Sequence, residues 1–129
     1  MIFVDTNYFL RFLLKDNEPQ YEASKKLFIE AAQQKVKLTT SLVVFFEVVW
    51  VLRSSYGKNK QPLVEVLSDM LKLNFEFTER HLVRESIRIF QETNLSMEDC
   101  YNLVFAKEEH IKDFKTFDKK LLKRFNQLT

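Results

Sequence analysis

Apolar residues recur along most of the chain at the three- and four-residue spacing of amphipathic helices, and shorter apolar runs separate these stretches. Polar residues that cap helices, together with two prolines, mark where the periodic stretches begin. The pattern predicts a helix that follows Asp5 and stops near residues 16–17, helices over about 19–34 and 42–56, and helices that begin at Pro62, Thr78, Ser96 and Asp118.

Three short segments have the pattern of strands, either continuously apolar or alternating, and a fourth is a strand candidate. They are residues 1–4, 36–40, 75–77 and 114–117. Because these segments alternate with helices, they predict an α/β fold with a mainly parallel sheet and helices on both faces. Ligands in such folds collect beyond the carboxyl ends of the strands. No repeat or Ser/Gly-rich linker interrupts the chain, so we expect a single domain over residues 1–129.

The composition narrows the possible functions. The chain has 129 residues, of which 46% are hydrophobic, and a formal net charge of only +2, so any polyanion would have to meet a local basic patch. A single glycine, Gly57, excludes phosphate-binding glycine loops. The lone Cys100 cannot form an internal disulfide, and the apolar run 42–52 is far short of the roughly 20 residues that span a bilayer. We expect an intracellular protein with no membrane segment.

Three aspartates lie where a catalytic site of an α/β fold would be found. Asp5 and Asp118 each follow a predicted strand, and Asp99 lies three residues after the predicted cap Ser96. Each position also suits an ordinary helix cap or a favourable interaction with a helix N-terminus, and that alternative stays open for each residue.

Glu47 is unusual because it lies within an otherwise apolar helical stretch. Most orientations of that helix point the carboxylate toward buried surface, where an unpaired charge would cost several kcal/mol. We therefore expect Glu47 to be buried and to require a cation. The alternatives are a helix rotated so that Glu47 reaches solvent, or a basic partner such as Arg11, Arg53 or Lys26.

Taken together, the four carboxylates indicate a metal site. Oxygen-only clusters suit hard divalent ions such as Mg²⁺ or Mn²⁺, and such ions support hydrolysis of phosphodiesters by activated water. The only histidines, His81 and His110, lie on polar stretches and are more typical of solvated residues.

Four motifs in order resemble those of PIN-domain ribonucleases, and especially of the VapC toxins of bacterial toxin–antitoxin pairs. The opening motif runs from Met1 to Arg11, with Asp5-Thr6-Asn7 at its centre. The other three motifs are Phe46 to Leu52, Met97 to Tyr101 and Lys115 to Lys120. The resemblance covers essentially the whole chain. In the third motif Glu98 precedes Asp99, and Asp99 is the preferred acid because it aligns with the more buried helix face.

The resemblance implies a three-layer α/β/α sandwich with a short, mainly parallel sheet of about four or five strands. It also implies an endoribonuclease dependent on Mg²⁺ or Mn²⁺, a cytoplasmic toxin whose partners are its RNA substrate and an antitoxin protein. Asp5 and Asp99 would bind the metal directly, Asp118 directly or through water, and Glu47 would bind it or orient the attacking water. Supporting hydrogen bonds are expected from Thr6, Asn7 and Thr116, and ordinary helix capping is the open alternative for each of them. RNA phosphates are expected to contact Arg11, Lys115, Lys119 and Lys120. The same role stays open for Lys123 and Arg124, for which a solvated helix face is the better explanation.

Two other classes of function remain open from the sequence. The first is a binding or regulatory module with the same fold and no nuclease activity. The second is a phosphotransfer receiver-like protein, which also gathers acids at strand ends but is less compatible with Glu47 inside an apolar helix. The 13 phenylalanines and Trp50 exceed what a small core hides, so an apolar surface for a homodimer or an antitoxin is also expected.

Overall fold

The computed structural model describes residues 1–128, which form two short strands and seven helices. The elements are β1 (Ile2–Phe3), α1 (Thr6–Leu14), α2 (Glu18–Ala32), β2 (Leu38–Thr39), α3 (Leu42–Ser54), α4 (Lys60–Leu71), α5 (Arg80–Glu92), α6 (Met97–Glu108) and α7 (Lys119–Gln127). The chain divides into a first compact unit, Met1–Glu79, and a second unit that begins at Arg80. Thr129, the last residue of the predicted domain, lies outside the described residues.

The first unit is organised around the parallel pair of β1 and β2. Ile2 donates its N–H to the Lys37 carbonyl at 2.8 Å, and Val4 donates to the Thr39 carbonyl at 2.9 Å. Next to this ladder, the buried hydroxyl of Thr40 donates to the Val4 carbonyl at 2.8 Å. Both backbone polar groups of Val4 are therefore fixed immediately before Asp5.

The prediction of four or five strands is wrong for the described residues, in which the sheet has two. The predicted strand 75–77 contributes one parallel bridge, between Glu76 and Thr39. Residues 114–117 form no strand. Their two phenylalanines are three residues apart, so a strand would place them on opposite faces, and here Phe114 packs on Phe125 at a ring distance of 4.9 Å whereas Phe117 is fully exposed.

The predicted helices of the first unit are confirmed, with ends that differ by a few residues. Helix α1 packs against α2, α3 and α4. Its buried Phe9 forms ring contacts with Phe28 at 5.5 Å and with Phe75 at 5.3 Å. The predicted cap Ser41 accepts a hydrogen bond from the Val44 N–H at 3.3 Å.

The second unit contains α5, α6 and α7, and the helices predicted there are also confirmed. Helix α5 packs along α6 and buries Val83, Ile87 and Phe90, while α6 buries Cys100 and Leu103. The buried Cys100 forms no disulfide, and its sulfur lies 3.9 Å from the Thr93 hydroxyl. Among residues 1–128, no helix is long and apolar enough to span a membrane.

The hydrogen bond from the Thr40 hydroxyl to the Val4 carbonyl can be tested for its contribution to stability. We expect Thr40→Val to lower the free energy of unfolding by about 1–3 kcal/mol, because the near-isosteric change removes the donor to a buried carbonyl. The measurement is denaturant unfolding followed by circular dichroism. Thr39→Val is the matched control, since its bond to the Glu76 carbonyl is at the surface, and it should cost less. Equal costs would show that burial of the Thr40 bond is unimportant.

Candidate functional site

Asp5 occupies the N-cap position of α1 but does not act as a cap. Its backbone is extended, with φ −89° and ψ 169°, and its side chain makes no capping hydrogen bond. The residue is exposed. By contrast, Asn17 caps α2 by accepting a hydrogen bond from the Gln20 N–H. The Asp5 side chain therefore does not cap α1, and the capping alternative does not hold for this residue.

The two residues after Asp5 differ in their surroundings. Thr6 is only 3% exposed, and within the described residues its hydroxyl oxygen has no hydrogen-bond partner, so it does not hold Asp5 by a hydrogen bond. Asn7 is exposed and lines a cavity of about 290 Å³ together with Tyr8, Arg11, Gln20, Ala23 and Ser24. The hydrogen bond by which Thr6 was expected to support Asp5 is therefore not formed among the described residues.

The expectation that Glu47 is buried is wrong. Helix α3 turns Val44, Val48 and Leu52 into the core, and Glu47 lies on the opposite face, exposed. Val43 and Trp50, one turn before and after it, are 72% and 64% exposed. Because almost every residue of α3 is apolar, its sequence does not indicate which face is buried. The exposed carboxylate retains its hydration and requires no buried cation.

Asp99 lies in the first turn of α6 and is half-buried, whereas the neighbouring Glu98 is exposed. The prediction that Asp99 lies nearer the core than Glu98 is confirmed. Its backbone N–H donates to the hydroxyl of Ser96 at 3.1 Å, which is the predicted cap. This bond fixes the start of α6, and with it the position from which the Asp99 side chain projects.

Asp118 is the N-cap of α7, and here the capping alternative holds. Its Oδ1 accepts a hydrogen bond from the Leu121 N–H at 3.0 Å. Its own backbone N–H donates to the Thr116 hydroxyl at 3.1 Å. Thr116 therefore positions Asp118 through the backbone, while a cap of this kind leaves Oδ2 of the carboxylate for another contact.

Two of the cations expected to contact RNA are paired within the protein. Arg11 donates to both oxygens of Asp16, at 2.8 and 3.0 Å, and to the Tyr56 hydroxyl at 3.3 Å. Lys115 forms an exposed ion pair with Asp113 at 3.0 Å. Lys119 and Lys120 are exposed at the start of α7.

The Arg11 pairing perturbs both charges. The Tyr56 hydroxyl, which donates to Asp16 at 2.7 Å, and then the Arg11 guanidinium lower the pKa of the Asp16 carboxyl. Hydrogen bonds to Asp16 and then to Tyr56 raise the pKa of Arg11. The three residues join the C-terminal ends of α1 and α3. Nothing in the spacing of residues 11, 16 and 56 predicts this group.

The predicted site residues lie on elements of both units. In the first unit, Asp5 adjoins Thr6 and Asn7 at the start of α1, a helix that packs on α3, where Glu47 lies. In the second unit, Asp118 is bonded to Thr116. Within residues 1–128, no three His, Cys, Asp or Glu side chains lie close enough together to hold a metal ion. The shared metal site of the four acids therefore stays a prediction, although their all-carboxylate chemistry fits Mg²⁺ or Mn²⁺.

Comparison with known proteins identifies the family. The sequence model of the PIN domain matches residues 2–127, a range that takes in both compact units. The chain belongs to the PIN domain family. A VapC ribonuclease of Aquifex aeolicus (strain VF5) is 27% identical to it over 124 residues, which cover 95% of this chain and 91% of that protein.

The contacts among Arg11, Asp16 and Tyr56 can be tested by removing the Tyr56 hydroxyl. We expect Tyr56→Phe to raise the pKa of Asp16 toward its ordinary value, because the largest influence lowering it is removed. The stability that Tyr56 contributes should be present near neutral pH and decline as the pH falls through the folded-state pKa of Asp16. Carboxyl NMR titration and unfolding at several pH values measure both effects. Tyr21→Phe is the control, and an Asp16 titration unchanged by Tyr56→Phe would contradict the assignment.

Proposed function

We propose that this chain is a VapC-like endoribonuclease that hydrolyses RNA with the help of Mg²⁺ or Mn²⁺ and acts as the toxin of a toxin–antitoxin pair. The observation that carries the proposal is the Asp5 carboxylate, which is exposed, does not cap α1 and follows a paired strand. The chain that contains it matches the PIN domain over residues 2–127. The likeness to a VapC ribonuclease supports RNA as the substrate.

Four carboxylates would hold the metal ion, namely those of Asp5, Glu47, Asp99 and Asp118. When bound, such an ion lowers the pKa of water and stabilises the charge that develops on the phosphate. Asp5 and Asp99 have backbones fixed by the β1 ladder and by Ser96, which suits direct ligands. Asp118 offers its Oδ2, directly or through water. Glu47 is exposed on α3, where it would bind the ion or orient the attacking water.

The proposed site is supported by neighbouring residues of two kinds. Thr116 holds the backbone of Asp118, and Thr6 and Asn7 flank Asp5. The cations proposed to bind RNA phosphates are Arg11, Lys115, Lys119 and Lys120. Because Arg11 and Lys115 already have acidic partners, their contribution to RNA affinity should be smaller than that of the two α7 lysines.

The partners proposed are an antitoxin protein and a second copy of the chain. Val43 and Trp50 expose apolar surface on either side of Glu47, and exposed apolar patches of this kind are typical of protein interfaces. An antitoxin covering this face would also cover a proposed site residue, which explains how binding would inhibit cleavage. Residues 1–129 would act as one PIN domain, in the cytoplasm with its RNA substrate.

The metal-binding acids are tested by amide substitution. We expect Asp5→Asn and Asp99→Asn each to lower the rate of RNA cleavage by roughly 10²-fold or more, since loss of several kcal/mol of charge stabilisation corresponds to that factor. Cleavage of a fluorogenic RNA in Mn²⁺ or Mg²⁺ is the measurement. Glu98→Gln is the matched control, because Glu98 adjoins Asp99 but is exposed, and it should retain activity. Wild-type cleavage by Asp99→Asn would contradict the assignment.

Metal dependence is tested separately by removal and titration. Chelation with EDTA should abolish cleavage, and added Mg²⁺ or Mn²⁺ should restore it. Calorimetric titration with Mn²⁺ should show binding to the wild type that Asp5→Asn weakens. A chain that binds no Mn²⁺ and cuts no RNA would instead be the PIN-fold binding or regulatory module that the sequence leaves open.

A further inference from the structure

A basic surface cavity of about 380 Å³ lies in the second unit, where α7 faces the turn between α5 and α6. Its lining residues are Thr93, Asn94, Leu95, Lys120, Lys123, Arg124 and Gln127. We call it the α7 cavity. Asp99 and Thr116 are not among its lining residues, and of the lining residues the proposed function uses Lys120 alone.

The cationic residues of the α7 cavity share one helix face. Lys120, Lys123 and Arg124 are spaced by three and four residues, so their side chains are neighbours on the surface of α7. Leu121 and Phe125 are buried and hold the opposite side of the helix in the core. Lys119 does not line the cavity. The sequence-based view of Lys123 and Arg124 as an ordinary solvated face therefore misses that they converge on a concave surface.

The charges around the α7 cavity leave a net positive surface. Arg124 donates to Glu92 at 2.9 Å, and the second oxygen of Glu92 accepts from Arg88 at 3.2 Å. This bond holds the Arg124 guanidinium in place. Within residues 1–128, Lys120 and Lys123 take part in no ion pair, so both ammonium groups remain available to an anionic ligand.

Helix stability does not explain why a lysine occupies the start of α7. A cation near a helix N-terminus is disfavoured by about 0.3–1 kcal/mol, because the N-terminal end of the helix is itself positive. Helix α6 follows that rule, with Glu98 and Asp99 in its first turn. Helix α7 has no acid in its first turn and begins with Lys119 and Lys120. Because the Asp118 carboxylate already caps this end of the helix, attraction of a phosphate would come from the lysine side chains rather than from free N–H groups.

We propose that the α7 cavity binds backbone phosphates of the RNA strand, away from the phosphate that is cut. The inference rests on the proposed function in taking RNA as the ligand. Lys120 and Lys123 would contact phosphate oxygens, and Arg124, held by Glu92, would form the edge of the α7 cavity. The amides of Asn94 and Gln127 supply donors and acceptors of the kind that bind ribose 2′-hydroxyls. Lys123 and Arg124 thereby join the RNA-binding residues.

The experiment measures RNA binding without cleavage. Affinity of a short fluorescein-labelled single-stranded RNA is followed by anisotropy in EDTA over a range of salt concentrations. For single strands the slope of log affinity against log salt is about −0.7 per phosphate contact. We expect Lys120→Ala with Lys123→Ala to weaken binding and to reduce that slope by about 1.4, for two lost contacts. The arginine pair, Lys120→Arg with Lys123→Arg, should retain the slope.

The control removes the same charge elsewhere. Lys26→Ala with Lys35→Ala changes two exposed lysines of the first unit and should leave the slope unchanged. An unaltered slope in the Lys120 and Lys123 double variant, with circular dichroism showing a folded chain, would overturn the proposal. A second result would also overturn the proposal: the Lys120 and Lys123 double variant loses binding to a labelled poly-glutamate peptide while its RNA binding is unchanged. The cavity would then be a site for acidic protein segments.

The outcome is independent of the proposed catalytic acids. If Asp99→Asn cuts RNA as wild type does, the metal assignment fails, yet the salt dependence in EDTA still tests the α7 cavity. Under the proposal, the Lys120 and Lys123 double variant raises KM for cleavage and leaves kcat at saturating RNA unchanged, because it removes binding shared by the ground and transition states. A fall in kcat with KM unchanged would count against it.

Discussion

The parallel pairing of β1 with β2 is the constraint on which the first unit depends. The ladder and the Thr40 hydroxyl together satisfy both backbone groups of Val4, so the chain leaves the sheet in a fixed direction at Asp5. Helix α1 begins at the next residue and buries Phe9 and Leu10. Because α1 contacts α2, α3 and α4, the placement of those helices follows from how the strand ends. An acid at this point is held rigidly by its backbone.

Asp5, Asp99 and Asp118 all lie at helix N-termini, but their side chains differ in whether they cap the helix. Asp118 caps α7, Asp99 lies in a first turn that Ser96 caps, and Asp5 occupies a cap position without capping. A missing cap costs about 1 kcal/mol, and within residues 1–128 the buried hydroxyl of Thr6 is a second unsatisfied group beside Asp5. Local stability is therefore given up at Asp5, which supports the proposal of a functional role for this residue.

Sequence patterns predicted the helices well because several of them combine a 3.6-residue apolar period with a recognisable cap, as at Ser96 and Asp118. They failed where the pattern carried too little information. Helix α3 is apolar on nearly every face, so its phase, and with it the exposure of Glu47, depended on tertiary packing. Residues 114–117 do not alternate apolar and polar positions, so they give too weak a signal for a strand, and Phe114 packs on Phe125 of α7 instead.

The net charge of +2 conceals a separation of charge that bears on how a nuclease of this kind would work. The carboxylates proposed to hold a metal repel the phosphates of an approaching RNA strand when no ion is bound, so cations elsewhere on the chain would add to the affinity. Helix α7 contains four basic residues and no acid, with Asp118 capping its start. If its cavity holds neighbouring phosphates, binding and bond cleavage depend on different side chains. RNA affinity can then be altered without touching Asp5 or Asp99.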